Sequence, residues 1–170
     1  LADWGEREGA RGRGRKGRPA AQEEARREAA RSGAIGRAQN FSVGGTVMRR
    51  IAAEMARALG EGFDIEIVET HHRQKVDAPS GTAKMLRSAV DPQGVYAVQY
   101  GREGLVGARG REIGMHSLRG GTVAGEHSVR FFGEHEELEL RHSADSRRIF
   151  ALGPVQSARF ARDMPSGLRS

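Results

Sequence analysis

The chain contains no cysteine, so disulfide scaffolds, thiolate metal sites and cysteine nucleophiles are excluded. Aromatic residues make up 5%, with a single Trp, which leaves little material for base-stacking surfaces. No apolar run approaches the roughly 18–20 residues of a membrane span, and no signal-peptide core follows Leu1. A soluble, cytoplasmic protein is the expectation. Lysine is nearly missing too: of 28 basic residues only Lys16, Lys75 and Lys84 are not arginine. The chain opens on Leu1 rather than methionine and reads as a fragment.

What is present is 170 residues, enough for one core-bearing domain. The 24 glycines and 37% hydrophobic content favour a loop-rich α/β or α+β chain over a helix bundle. The net charge of +6 is concentrated at the start, since residues 1–37 carry ten basic and six acidic side chains. Residues 1–20 are Gly- and Arg-rich with almost nothing to bury, and read as a disordered basic tail. Its RGRGRKGR run could touch nucleic acid through counterion release. The body is nearly neutral and lacks a groove-reading motif, which argues against nucleic acid as a partner.

Residues 21–32 are strong helix formers with Gly33 as a stop. Val47, Ile51, Met55 and Leu59 recur every fourth position and predict an amphipathic helix ending at Gly60. The alternating DIEIVE at 64–69 predicts a strand, and 83–90 a short helix capped by Ser80 or Thr82. Further strands are predicted at 95–100, 112–118, 122–132 and 137–142, the last two joined by a hairpin turn at Gly133. A final helix from about Ser146 would bury Ile149, Phe150, Leu152, Val155 and Phe160. The order predicts an α+β domain, a mostly antiparallel or mixed sheet of about four strands with helices on one face. The other face needs covering, and a second copy of the chain would cover it.

Chemistry concentrates in residues 71–82, which hold two His, an Arg, a Lys, an Asp and a Ser-Gly-Thr turn. Adjacent His71 and His72 point to opposite faces of a continuing strand, which argues against a shared metal. Lys75 can exchange a proton where arginine cannot. Gly81 permits close backbone approach, and a helix starting there aims free N–H groups outward between the Ser80 and Thr82 hydroxyls. Together these suggest an anionic small molecule held beside an acid/base pair. Taken singly, each feature has a structural alternative: a core histidine, a solvated lysine, an ordinary helix cap.

The run from Glu69 to Ala83, ETHHRQKVDAPSGTA, resembles the signature of dihydrodipicolinate reductase, also called 4-hydroxy-tetrahydrodipicolinate reductase. The resemblance extends to NFSVG at 40–44, GREG at 101–104, GEH at 125–127, and Ser146-Arg147 with Phe150-Ala151, covering roughly residues 22–162. It implies reduction of a cyclic, unsaturated dicarboxylate by NADPH or NADH in lysine and diaminopimelate biosynthesis, and a homotetramer built through the sheet. It further implies His71 as acid/base residue, Lys75 as proton donor, and His72, Ser80, Gly81, Thr82 and Arg147 as substrate-binding residues. Ala38, Gln39, Asn40 and Phe41 fall where the family's hinge lines the nicotinamide. On this reading residues 21–41 are a remnant of the cofactor domain, 42–146 the substrate-binding and oligomerisation domain, and 147–170 a C-terminal helix and tail. The Gly-rich pyrophosphate turn with which the family begins has no counterpart here. Gln39 and Asp145 depart from the family's small residues, and the span from Ala83 to Gly101 is short. The alternative function is therefore a catalytically inactive binding and oligomerisation module of the same family.

Overall fold

The structure is a computed structural model that describes residues 20–32, 34–36, 42–146, 148–150, 153, 155 and 165–169. Its elements run α1 (Ala20–Ser32), β1 (Ala34–Gly36), α2 (Val43–Leu59), β2 (Asp64–His71), α3 (Gly81–Val90), β3 (Ala97–Tyr100), β4 (Glu112–Arg119), β5 (Gly125–Phe132), β6 (Glu137–Ala144) and β7 (Gly167–Arg169). The expected basic tail lies outside the described residues except for Ala20, which opens α1.

Both interior helices begin with a serine cap. The Ser42 hydroxyl accepts from the Gly45 N–H at 3.1 Å, and the Ser80 hydroxyl from the Ala83 N–H at 3.1 Å. Such caps satisfy donors that the first helical turn leaves without partners. Between them lies β2, where a period of two buries Ile65, Ile67, Glu69 and His71 and turns Glu66, Val68 and Thr70 the other way.

The α+β class stands, with a five-stranded sheet ordered β3-β4-β2-β5-β6, one strand more than the expected four. Its pairings divide evenly: β2 runs parallel to β4 and β3 parallel to β4, while β2 with β5 and β5 with β6 are antiparallel. The parallel half follows from the connection, because a strand that returns through a helix such as α3 re-enters in the same direction. A separate two-stranded parallel pair joins β1 to β7. The core fills one face of the sheet, where Ile65, Ile67, Ile113, Met115, Val129 and Phe131 meet Met48 and Ala52 of α2 and Ala83, Leu86 and Val90 of α3. At the chain's end Ile149 and Phe150 are half-buried where burial was expected, and Val155 is 52% exposed, its place being at the surface rather than in the core. Leu152 and Phe160 lie outside the described residues.

The opposite face is polar. Glu66 sits at its centre, accepting from the two terminal guanidinium nitrogens of Arg102 at 2.9 and 3.3 Å and lying 2.6 Å from His116 Nε2. Burial would raise the Glu66 pKa, but Arg102 and His116 hold it below the usual carboxylate value. This cluster depends on Gly114, where an added Cβ would stand 1.7 Å from Glu66 Oε2. Gly114→Ala is expected to push the Glu66 carboxylate off its partners and cost about 1–3 kcal/mol, read as a lowered urea midpoint.

Candidate functional site

The carboxyl ends of the parallel strands β2 and β4, the start of β5 and the first turn of α3 converge on one point. Strand ends beside a helix N-terminus are where open sheets gather ligands, because loops there are free to vary and helix N–H groups face outward.

At the centre is Glu69, whose side chain is 1% exposed. Its Oε2 lies 2.5 Å from His71 Nδ1 and accepts from Arg119 at 2.9 Å. Its Oε1 accepts from the Ser80 backbone N–H at 3.1 Å and from the second Arg119 nitrogen at 2.8 Å. Burial alone would raise the Glu69 pKa; the hydrogen bonds from Arg119, Ser117 and His71 bring it down to about 2. The group is therefore a carboxylate at any ordinary pH. Register explains the meeting, since the parallel β2–β4 pairing sets Glu69 beside Ser117 and His71 beside Arg119.

His71 ends β2 and is buried. Burial lowers its pKa below the ordinary imidazole value; Glu69 pulls the other way, and Lys75 and Arg119 add to the lowering. Its Nε2 faces Gly125, where a Cβ would come within 3.1 Å of that atom. His127 packs edge-on against the His71 ring with centroids 5.1 Å apart, and its Nε2 lies 2.9 Å from the Ser80 hydroxyl. Burial first and the nearby His71 second bring the His127 pKa down to about 4.

Beyond His71 the chain turns back. The Lys75 N–H donates to the His72 carbonyl at 3.1 Å, and the Gly120 N–H to the His71 carbonyl at 3.0 Å. His72 is half-buried at this turn. Lys75 Nζ donates to Asp77 Oδ1 at 2.7 Å, and Arg119 also reaches the Asp77 carbonyl at 2.7 Å, holding the loop against the strand ends. Burial would raise the Asp77 pKa, but Lys75 keeps it below its usual value. Ser80 is the helix cap, and Gly81 and Thr82 form the first turn of α3. A Cβ at Gly81 would meet nothing within 4 Å, so packing does not require glycine there. A cleft of about 660 Å³ lies beside this loop with Pro79, Lys84, Tyr100 and Ser117 in its walls; His71 does not line it.

His71 is thus joined to the Ser80–Thr82 turn through Glu69, with Lys75 close enough to oppose protonation of His71 and His72 following on the same loop. Arg147, Ala38, Gln39, Asn40 and Phe41 lie outside the described residues. Sequence reasoning assigned no role to Glu69, Arg119, Ser117 or His127. The signal for two of them was in the alternation: Glu69 continues the apolar face of Ile65 and Ile67, and His127 that of Val129 and Phe131. A polar or charged group on an apolar stripe needs a partner, and that requirement marks it. Arg119 gave no such signal because its partner is 50 residues away. Among the described residues no group of three or more His, Asp or Glu is placed to hold a metal, and no helix is long and apolar enough to cross a membrane.

Comparison with known proteins gives consistent findings. A family model described as dihydrodipicolinate reductase, C-terminus, matches residues 44–170. The 4-hydroxy-tetrahydrodipicolinate reductase of Rubrobacter xylanophilus is 51% identical over 148 residues, covering 84% of this chain and 56% of that protein. That of Afipia carboxidovorans is 49% identical over 136 residues, covering 77% of this chain and 50% of the relative. The dipicolinate-bound dihydrodipicolinate reductase from Paenisporosarcina sp. TG-14 superposes with a TM-score of 0.67 at 29% identity, covering 92% of this chain and 60% of that one. The chain spans about half the length of the curated relatives it matches.

Proposed function

Because this chain belongs to the dihydrodipicolinate reductase family, we propose that it forms the substrate-binding part of a 4-hydroxy-tetrahydrodipicolinate reductase. The substrate would be a cyclic dicarboxylate, the class to which the ligand of the Paenisporosarcina structure belongs. Since the chain spans about half the length of its relatives, turnover is ascribed to a reductase of their length.

The observation that carries the proposal is the corner itself. A buried imidazole and an ammonium stand beside a helix N-terminus whose glycine is left open by the protein's own packing. The α3 N-terminus and the Thr82 hydroxyl suit one carboxylate. His71, with Nε2 toward Gly125, suits proton exchange with the ring, and the Lys75 ammonium suits the charge of the substrate or a proton delivered to it. His72 would bind on the loop side. In this family reading a nicotinamide cofactor, when bound, supplies the hydride. A ring that has accepted a hydride needs a proton, and a positioned acid commonly contributes about 10²–10⁴-fold to such a step. Ala38, Gln39, Asn40 and Phe41 are proposed for the cofactor side and Arg147 for the substrate side. The charged sheet face around Glu66 is proposed as the assembly surface.

Calorimetric titration of the full chain with pyridine-2,6-dicarboxylate tests the site. Binding is expected, with His71→Ala and Thr82→Ala each weakening it about tenfold. Affinity unchanged by both substitutions would remove these residues from the site.

A further inference from the structure

Glu69 receives more hydrogen bonds than a merely tolerated buried acid needs. Each oxygen takes one Arg119 nitrogen, at 2.8 and 2.9 Å, and has a second partner: Ser80 N–H on Oε1 and His71 Nδ1 on Oε2. An ionised carboxylate offers only lone pairs, so the hydrogen shared with His71 must reside on Nδ1. In neutral His71 the proton-free nitrogen is then Nε2, the atom facing Gly125. The other oxygen holds the backbone of the capping residue of α3, and Arg119 extends the clamp to the Asp77 carbonyl.

We propose that Glu69, anchored by Arg119, is the positioning residue of this site: it confines proton exchange by His71 to Nε2 and fixes that atom relative to the Ser80–Thr82 turn. The proposal rests on the reading of His71 as the acid/base group and adds the group that acts through it. Four charged or titratable groups surround the ring: Glu69 on its own strand, Arg119 from β4, His127 from β5 and Lys75 from the loop. Of these Glu69 favours the imidazolium, whereas Lys75 and Arg119 oppose it. Its removal is therefore expected to lower the pKa of His71 further, an effect that a purely packing role does not produce.

The test is long-range ¹H–¹⁵N correlation of the histidine rings in the full chain across pH, alongside titration with pyridine-2,6-dicarboxylate. Wild-type neutral His71 is expected in the Nδ1–H form. Glu69→Gln should mix the tautomers, shift the His71 titration toward acid and weaken dicarboxylate binding about tenfold, with the far-ultraviolet spectrum unchanged. Glu69→Asp keeps the charge and should keep the titration nearer to wild type. An Nε2–H tautomer in the wild type, or a Glu69→Gln protein whose His71 titrates as before, overturns the proposal. Should Glu69→Gln fail to fold, the wild-type tautomer alone decides. Absence of dicarboxylate binding by the wild type would instead count against the functional reading, while the tautomer still judges the role of Glu69.

Discussion

Arg119→Met is expected to destabilise the protein by about 3 kcal/mol, the lower end of what breaking one side of a buried ion pair costs. The cost comes from what is left behind. Glu69 is 1% exposed, and without Arg119 it retains His71, Ser80 and Ser117 as donors but loses the compensating charge. Methionine preserves much of the aliphatic stem, so the change reports on charge and hydrogen bonding rather than on volume. The Arg119 side chain is 20% exposed, so water can enter part of the vacated space, which argues against the upper end of the range. The same substitution frees the Asp77 carbonyl and so loosens the 72–80 loop. Urea unfolding at neutral pH measures the effect, with an unchanged denaturant slope showing that the native fold persists. Combining it with Glu69→Gln should cost less than the two singles together, because the second change removes the charge stranded by the first. Additive losses would mean that the two side chains stabilise the fold independently.

The legible part of this molecule is what local patterning controls. The four-residue recurrence of Val47, Ile51, Met55 and Leu59 marked α2, yet Val47 and Ile51 are exposed and the buried positions are Met48 and Ala52. Met55 and Leu59 do pack against the core, so the stripe holds in the second half of the helix; in the first half the inner face lies one position on, where small Ala52 carries little hydrophobic signal. The 64–69 alternation found β2, but the strand continues to His71, whose ring lies 2.5 Å from the Glu69 carboxylate. Gly133 and the flanking alternation marked the hairpin of β5 and β6. The parallel pairing of β2 with β4 was not legible, because a crossover through α3 and β3 is a tertiary fact. Residue types gave the site loop, while its hub depends on that register.

Acidification from pH 6.5 to 4 is expected to remove about 3 kcal/mol of stability through His127 alone. This residue is 3% exposed, paired in register with His142, edge-on to His71, and 2.9 Å from the Ser80 hydroxyl. That hydroxyl already accepts from the Ala83 N–H, which leaves its own proton for His127 Nε2 and suits a neutral ring. Protonation would bury a cation against His71, His142 and Lys75, with Glu69 alone in its favour, and the pKa falls from 6.5 to about 4. The sign follows from linkage: between the two values the unfolded chain binds the proton more readily, so stability is complete above about 6.5 and declines as pH falls toward 4. A depression of this size corresponds to about 3 kcal/mol, and His71, lowered in the same direction, adds to it. Glu69 acts in a later window, its contribution present above about 4.5 and lost as pH falls toward 2. Urea midpoints at pH 7.5, 6.5 and 5.5 should therefore already fall while carboxylates of ordinary pKa are still largely ionised, and should go on falling to pH 4. His127→Gln retains a side-chain amide near the Ser80 hydroxyl but cannot titrate, so its stability should be lower at pH 7.5 and much flatter toward pH 4. Parallel losses in the two proteins would place the acid sensitivity elsewhere, with His71 the next group to replace.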